Sequence, residues 1–122
     1  MTTLTLTLPW PPSALSPNHR HAHWSTLARA RRRFRTACAI TALSQGANRL
    51  AGPPGALAVH LRFIPPDRRR RDLDNCLASM KSGLDALADV LGVDDSRWEL
   101  SASLDRDEVG GMVKVEVVAC QP

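Results

Sequence analysis

The chain has no apolar run approaching the roughly 18 residues of a membrane span, and no charged segment followed by an apolar one opens it. These absences exclude a membrane-spanning helix and a secretory leader as expectations, so we expect a soluble, cytoplasmic protein with no membrane partner. Cysteine is scarce too. Cys38, Cys76 and Cys120 are odd in number, distant in sequence and without paired metal-ligand spacing, which argues for reduced thiols and against a disulfide framework. Lysine is nearly missing: of sixteen basic residues only Lys81 and Lys114 are not arginine. No internal repeat is present. What remains is one domain, 1–122, long enough for a core, with a net charge of +4 carried largely by guanidinium groups. Guanidinium forks suit phosphate recognition, and a nucleic-acid partner is the first expectation.

The charge is not spread evenly. Arg68, Arg69, Arg70 and Arg71 run directly into Asp72, Leu73, Asp74 and Asn75, so cationic forks and paired carboxylates meet in one stretch. A site that holds a hard cation and a polyanion together needs both kinds of group.

Around this stretch the hydrophobic pattern predicts the order β-α-β-α-β-β. Residues Thr3 to Leu8 alternate Thr and Leu as a strand, and Pro9, Pro11, Pro12 and Pro17 then hold an extended segment. The loop up to His23 carries Asn18, His19, Arg20, His21 and His23. The alternating histidines lack a companion carboxylate or thiol, so phosphate contact or plain solvation is favoured over metal binding.

From Trp24 to Gln45 the spacing of Leu27, Ala30, Phe34, Cys38 and Thr41 predicts a helix stopped by Gly46. Its other faces carry Arg29, Arg31, Arg32, Arg33 and Arg35, with no acidic residue for pairing at helical spacing. A solvated face and a DNA-phosphate contact are both open readings. A loop follows over 47–55.

Ala56 to Ile64 reads as a strand with Leu57, Val59, Leu61 and Phe63 inward and His60 and Arg62 outward. A second helix is expected from Asp74 to Leu91, with Leu77, Met80, Leu84, Leu87 and Leu91 as its apolar stripe and Gly92 as its stop. On one continuous helix Asp74, Lys81 and Asp85 would lie within about 40° of one another. A strand over Trp98 to Leu104, a polar turn from Asp105 to Gly111 that reverses the chain, and a strand over Met112 to Ala119 that pairs back with it complete a single α+β domain, an α/β sandwich. It has a four-stranded mixed sheet, two helices and one sheet face partly uncovered, which invites a homodimer.

Asp72 and Asp74, two apart in extended chain, point to one side. If the later pair Asp94 and Asp95 joins them, the carboxylates can hold Mg²⁺, or a second ion about 4 Å away, for attack of water on a phosphodiester. Lys81 would neutralise charge growing on the phosphorus-bound oxygens. Each acidic motif also has an ordinary reading, as an N-cap or as a turn.

Taken together, these residues resemble the RusA family of Holliday junction resolvases. The resemblance is carried by the segment from Pro66 to Asn75, by Leu84 to Leu87, by Asp94 and Asp95, and by Leu8-Pro9-Trp10-Pro11-Pro12-Ser13, and it spans nearly the whole chain. It implies a bacterial or phage-encoded homodimeric endonuclease, dependent on Mg²⁺ with Mn²⁺ as a substitute, that nicks four-way DNA junctions in symmetric pairs. By the resemblance Asp72, Asp74 and Asp95 are the essential metal-binding carboxylates and Asp94 a less critical neighbour. The family lysine falls four residues after the second aspartate, where this chain has Ala78; Lys81, one helical turn further on, is aligned with it. Arg68, Arg69, Arg70, Arg71, Asn18, Arg20, Arg31, Arg32 and Asn75 are the expected DNA contacts. A protein that binds branched DNA without cutting, and a nuclease for other branched structures, share the same features.

Overall fold

In the computed structural model, residues 3–20, 23–49 and 55–119 are described; His21, Cys120 and most of the expected loop after Arg49 lie outside them. The alternating segments form strands β1 (Thr3–Pro9), β2 (Leu57–Ile64), β3 (Trp98–Leu104) and β4 (Met112–Ala119), and the helical pattern forms α1 (Trp24–Ser44). The sheet order is β1-β4-β2-β3. β4 runs antiparallel to both β1 and β2, whereas β2 and β3 are parallel, so the sheet is mixed as expected; β4 does not pair back with β3 as the polar turn suggested, because β2 lies between them. A parallel pair needs a crossover, and the chain between β2 and β3 supplies it with helix.

Register explains the core. Cross-strand rows Leu4, Val117, Val59 and Leu100, then Leu6, Val115, Leu61 and Ala102, then Leu8, Val113, Phe63 and Leu104, all point to one face. On β1, β4 and β2 nearly all of these side chains lose contact with water, and Leu61→Ala would cost about 2–5 kcal/mol. The opposite face presents Thr5, Glu116, His60 and Ser101 in one row and Thr7, Lys114, Arg62 and Ser103 in the next. His60 is held between the Ser101 and Ser103 hydroxyls at 2.7 and 3.1 Å. This face is uncovered, as the pattern requires, but it is polar.

The expected second helix is two. α2 (Leu73–Ser79) ends and α3 (Lys81–Leu91) begins at Met80, whose φ and ψ of −85° and −5° lie off the α-helical values. At this point the Met80 amide donates to Leu77 O at 3.1 Å, tightening the turn. The break lets α3 lie closely against α1. A Cβ at Gly83 would stand 2.8 Å from Phe34 Cε2 and 2.9 Å from Cys38 Sγ, so only glycine permits this approach. Arg35 of α1 pairs with Asp89 of α3, which supplies from a neighbouring helix the acidic partner its own helix lacks. Gly92, at φ 74°, stops α3 as predicted.

Candidate functional site

The arginine run is organised by the aspartate that precedes it. Asp67 accepts from the Arg69 amide at 3.0 Å, from Arg69 Nε and Nη2 at 3.1 and 2.9 Å, and from Arg71 Nη1 at 2.9 Å. Hydrogen bonds from these two arginines hold the Asp67 carboxyl well below the usual carboxylate range. Arg71 Nη1 also donates to Asp67 O and Arg69 O at 3.0 and 3.1 Å, and its guanidinium lies 5.6 Å from the centre of the Trp10 ring. Trp10 meets Phe63 edge to face at 5.9 Å. Arg69 and Arg71 are thus both paired within their own loop, Arg69 at its exposed surface. Arg68 and Arg70 make no ion pair among the described residues and are exposed.

The turn between β3 and β4 clamps this loop from the other side. Gly110 and Gly111 amides donate to Pro65 O at 2.8 and 3.2 Å, while Asp105 accepts from the Asp107 and Glu108 amides and from Arg62 Nε at 3.0 Å. Those bonds, the Glu108 amide first, hold the Asp105 carboxyl at about 2. Arg106, in the same turn, lines a hollow of about 150 Å³ together with the arginine run.

Directly after Arg71 the chain turns into α2. Asp72 occupies the N-cap position with extended backbone, yet its carboxylate makes no capping bond, and Asp74 lies exposed in the first turn. Neither carboxylate has a hydrogen-bond or ion-pair partner among the described residues, so both are available to a cation. Beside them opens a cavity of about 700 Å³. The proline-rich segment forms one side with Trp10, Pro12 and Asn18; Pro66, Arg69, Arg70 and Asp72 form another; Asn75, Cys76 and Ser79 of α2 complete it. Burial pushes the Cys76 thiol up, toward its less nucleophilic protonated form.

The remaining expected residues are less gathered. Asp94 Oδ2 accepts from the Ser96 amide at 3.2 Å and from its hydroxyl, so Asp94 caps the short 3-10 turn Asp95–Arg97. Asp95 is exposed at the start of that turn. Among the described residues no three His, Cys, Asp or Glu side chains converge as a metal-binding group. Two uncommitted carboxylates still suit Mg²⁺, which commonly takes one or two and fills its octahedron with water and substrate oxygens. Lys81 opens α3 instead of continuing the helix that holds Asp74, so the three do not share one continuous helix; Lys81 and Asp85 still pair along α3, Nζ to Oδ1 at 4.0 Å. Arg31 and Arg32 are exposed on α1, and Arg20 is exposed in the loop before it.

His23 has a structural task. Its Nδ1 accepts from the Ser25 amide at 3.1 Å and caps α1, which answers part of the histidine pattern without metal.

Asp67, Trp10 and Arg106 were not singled out as site residues by sequence. The signal for Asp67 was present, an aspartate two residues before an arginine amide, the spacing of an Asx turn. Trp10 and Arg106 gave none, because what they face, Phe63 and Arg71 for Trp10 and the arginine run for Arg106, is distant in sequence.

No protein-family profile matches the chain. A protein of Xylella fastidiosa (strain Temecula1), named only "Uncharacterized protein", is 42% identical over 106 residues, which cover 86% of this chain and 68% of that protein.

Proposed function

We propose, for a chain that belongs to one family with this bacterial protein, a Mg²⁺-dependent endodeoxyribonuclease of the RusA type, acting on four-way DNA junctions. The observation that carries the reading is the pair of uncommitted carboxylates, Asp72 and Asp74, just after the exposed Arg68 and Arg70 in the chain, with Asp72 and Arg70 lining the same cavity. A scaffold that pairs Asp67 with two arginines and leaves the next two aspartates bare is suited to receive a cation from outside.

Asp72 and Asp74 would hold Mg²⁺ or Mn²⁺, with Asp95 a further ligand reached from its turn. The bound ion supplies Lewis-acid polarisation of the phosphodiester and acidifies water. Arg68 and Arg70 bind and orient the flanking phosphates, with Arg20, Arg31 and Arg32 extending the track. Arg69 and Arg71 fix the loop that presents them. Asn18 and Asn75 offer amides to the nucleotide, and Lys81 lends positive charge near the phosphate. Acting as a homodimer in the bacterial or phage-infected cytoplasm, two such sites would cut opposite strands of a two-fold junction.

A specific observation favours a second reading, binding of branched DNA without cleavage: Asp94 is spent as a cap and Asp95 joins no three-residue cluster. One assay separates them. A labelled four-way junction is incubated with wild type and Asp74→Asn in Mg²⁺ and in Mn²⁺. Paired nicks by the wild type, with Asp74→Asn binding the junction but not cutting it, support the nuclease. Binding with no cleavage in either metal removes it.

A further inference from the structure

The cavity beside Asp72 is larger and less uniformly charged than a phosphate track requires. At about 700 Å³ this open cleft has the size of small-ligand sites, about 300–1,000 Å³. Its sides combine ring surfaces from Trp10, Pro12 and Pro66 with the side-chain amides of Asn18 and Asn75, and Arg70 stands in the lining beside Asp72. Flat apolar surface and guanidinium planes take the face of a nucleobase, while carboxamides carry the donor and acceptor that its edge requires. The Arg71 and Trp10 pair is set before any ligand arrives, because Arg71 is tied to Asp67 and to two carbonyls. Such preorganisation lowers the ordering cost of binding.

We infer that this cavity receives a single unstacked deoxynucleotide, its base between the proline-rich segment and α2 and its phosphate toward Arg70 and Asp72. The inference deepens the proposed function and rests on it for the biological source of the nucleotide, a residue freed from stacking where strands exchange. The chemistry of the cavity, base plus phosphate, stands apart from whether the chain cleaves.

The test uses the full chain in Mg²⁺ and compares a deoxyribonucleoside 5′-monophosphate, deoxyribose 5-phosphate and inorganic phosphate by calorimetric titration. Stacking of one base predicts at least about tenfold tighter binding of the nucleotide than of the base-free sugar phosphate. Ser13→Trp, placed in the exposed turn that borders the cavity, should erase that preference. Should this variant fail to fold by circular dichroism, Asn18→Ala, an exposed side-chain truncation, should reduce the preference instead. Equal binding of the nucleotide and the sugar phosphate overturns the inference, as does a preference untouched by whichever variant folds. Junction cleavage without a base preference would sink the nucleotide pocket and leave the nuclease standing. A base preference in a protein that never cleaves would do the reverse.

Discussion

Asp67 and Asp72 lie in the same loop, on either side of four arginines, and meet opposite circumstances. Asp67 accepts three side-chain hydrogen bonds and one from the backbone, all within its own loop. Asp72 and its neighbour Asp74 accept none among the described residues, although Asp72 sits where a helix cap would serve. The contrast shows how one run of charge divides its labour. One carboxylate and two alternate arginines build the loop, and the other two carboxylates and arginines are what the built loop displays. A surface ion pair contributes only about 0–1 kcal/mol, so the Asp67 network matters for geometry more than for global stability.

The comparison is broken most sharply by exchanging the roles. Asp72→Asn and Asp67→Asn are expected to differ most in cleavage of a four-way junction. Losing Asp72 should reduce the rate by roughly 100-fold or more, as loss of a preorganised electrostatic group does, with an unchanged melting temperature. Losing Asp67 should lower the melting temperature slightly and slow cleavage far less. Equal losses of rate would end the division between builder and displayed carboxylate.

Next in size is a packing change that spares both aspartates. Gly83→Ala forces a Cβ against Phe34 and Cys38 and should destabilise the domain by about 1–3 kcal/mol in denaturant titration. A neutral result would mean that α3 does not rest on α1 as closely as the helix break implies.

The arginines divide in the same way under salt. Arg68→Ala or Arg70→Ala should each reduce the slope of log affinity for DNA against log salt by about 1, because each releases counterions from one phosphate. Arg71→Ala should change the slope less while weakening the loop, since its charge is already spent on Asp67. An identical slope change for Arg70 and Arg71 would contradict that assignment.

The smallest effect concerns pH. Asp105 is depressed from 3.8 to about 2 by the Glu108 amide, Arg62 and the Asp107 amide. Because its folded value lies below its unfolded one, its stabilising contribution is complete above 3.8 and is lost as pH falls toward 2. Melting temperatures of wild type and Asp105→Asn should therefore differ at neutral pH and converge on acidification through that window. A gap that stays constant down to pH 2 would show that the carboxylate charge is not what the turn uses.

Local pattern carried far in this chain. Period-two alternation placed β3 and β4 with the observed ends and β1 and β2 within a residue, and helical spacing placed α1 as closely; β1, β2 and β4 bury one face, and their alternation is a local record of that burial. The helix break at Met80 was not legible. It goes with the approach of α3 to Phe34 and Cys38, residues far away in sequence, and an apolar stripe that spans the break gives no warning.

The same division holds for the candidate site. Its charged residues were readable as a stretch, because arginines and aspartates adjacent in sequence stay adjacent in space. Which of them are spent depended on side-chain geometry: Asp67 turned toward Arg69 and Arg71, Asp94 toward Ser96, and Lys81 toward Asp85. Sequence by itself determined the strands and their inward-facing residues, the helix stop at Gly92 and the place where opposite charges meet, whereas the pairing of β4 with β1 and β2 instead of β3 was a tertiary decision. Tertiary structure alone decided the cavity, formed when the proline-rich segment after β1 folds against α2 and when Trp10 is held by Phe63 and Arg71. The physical reason is range: periodicity and adjacency are local properties of a chain, whereas a cavity is bounded by segments that only the packed core brings together.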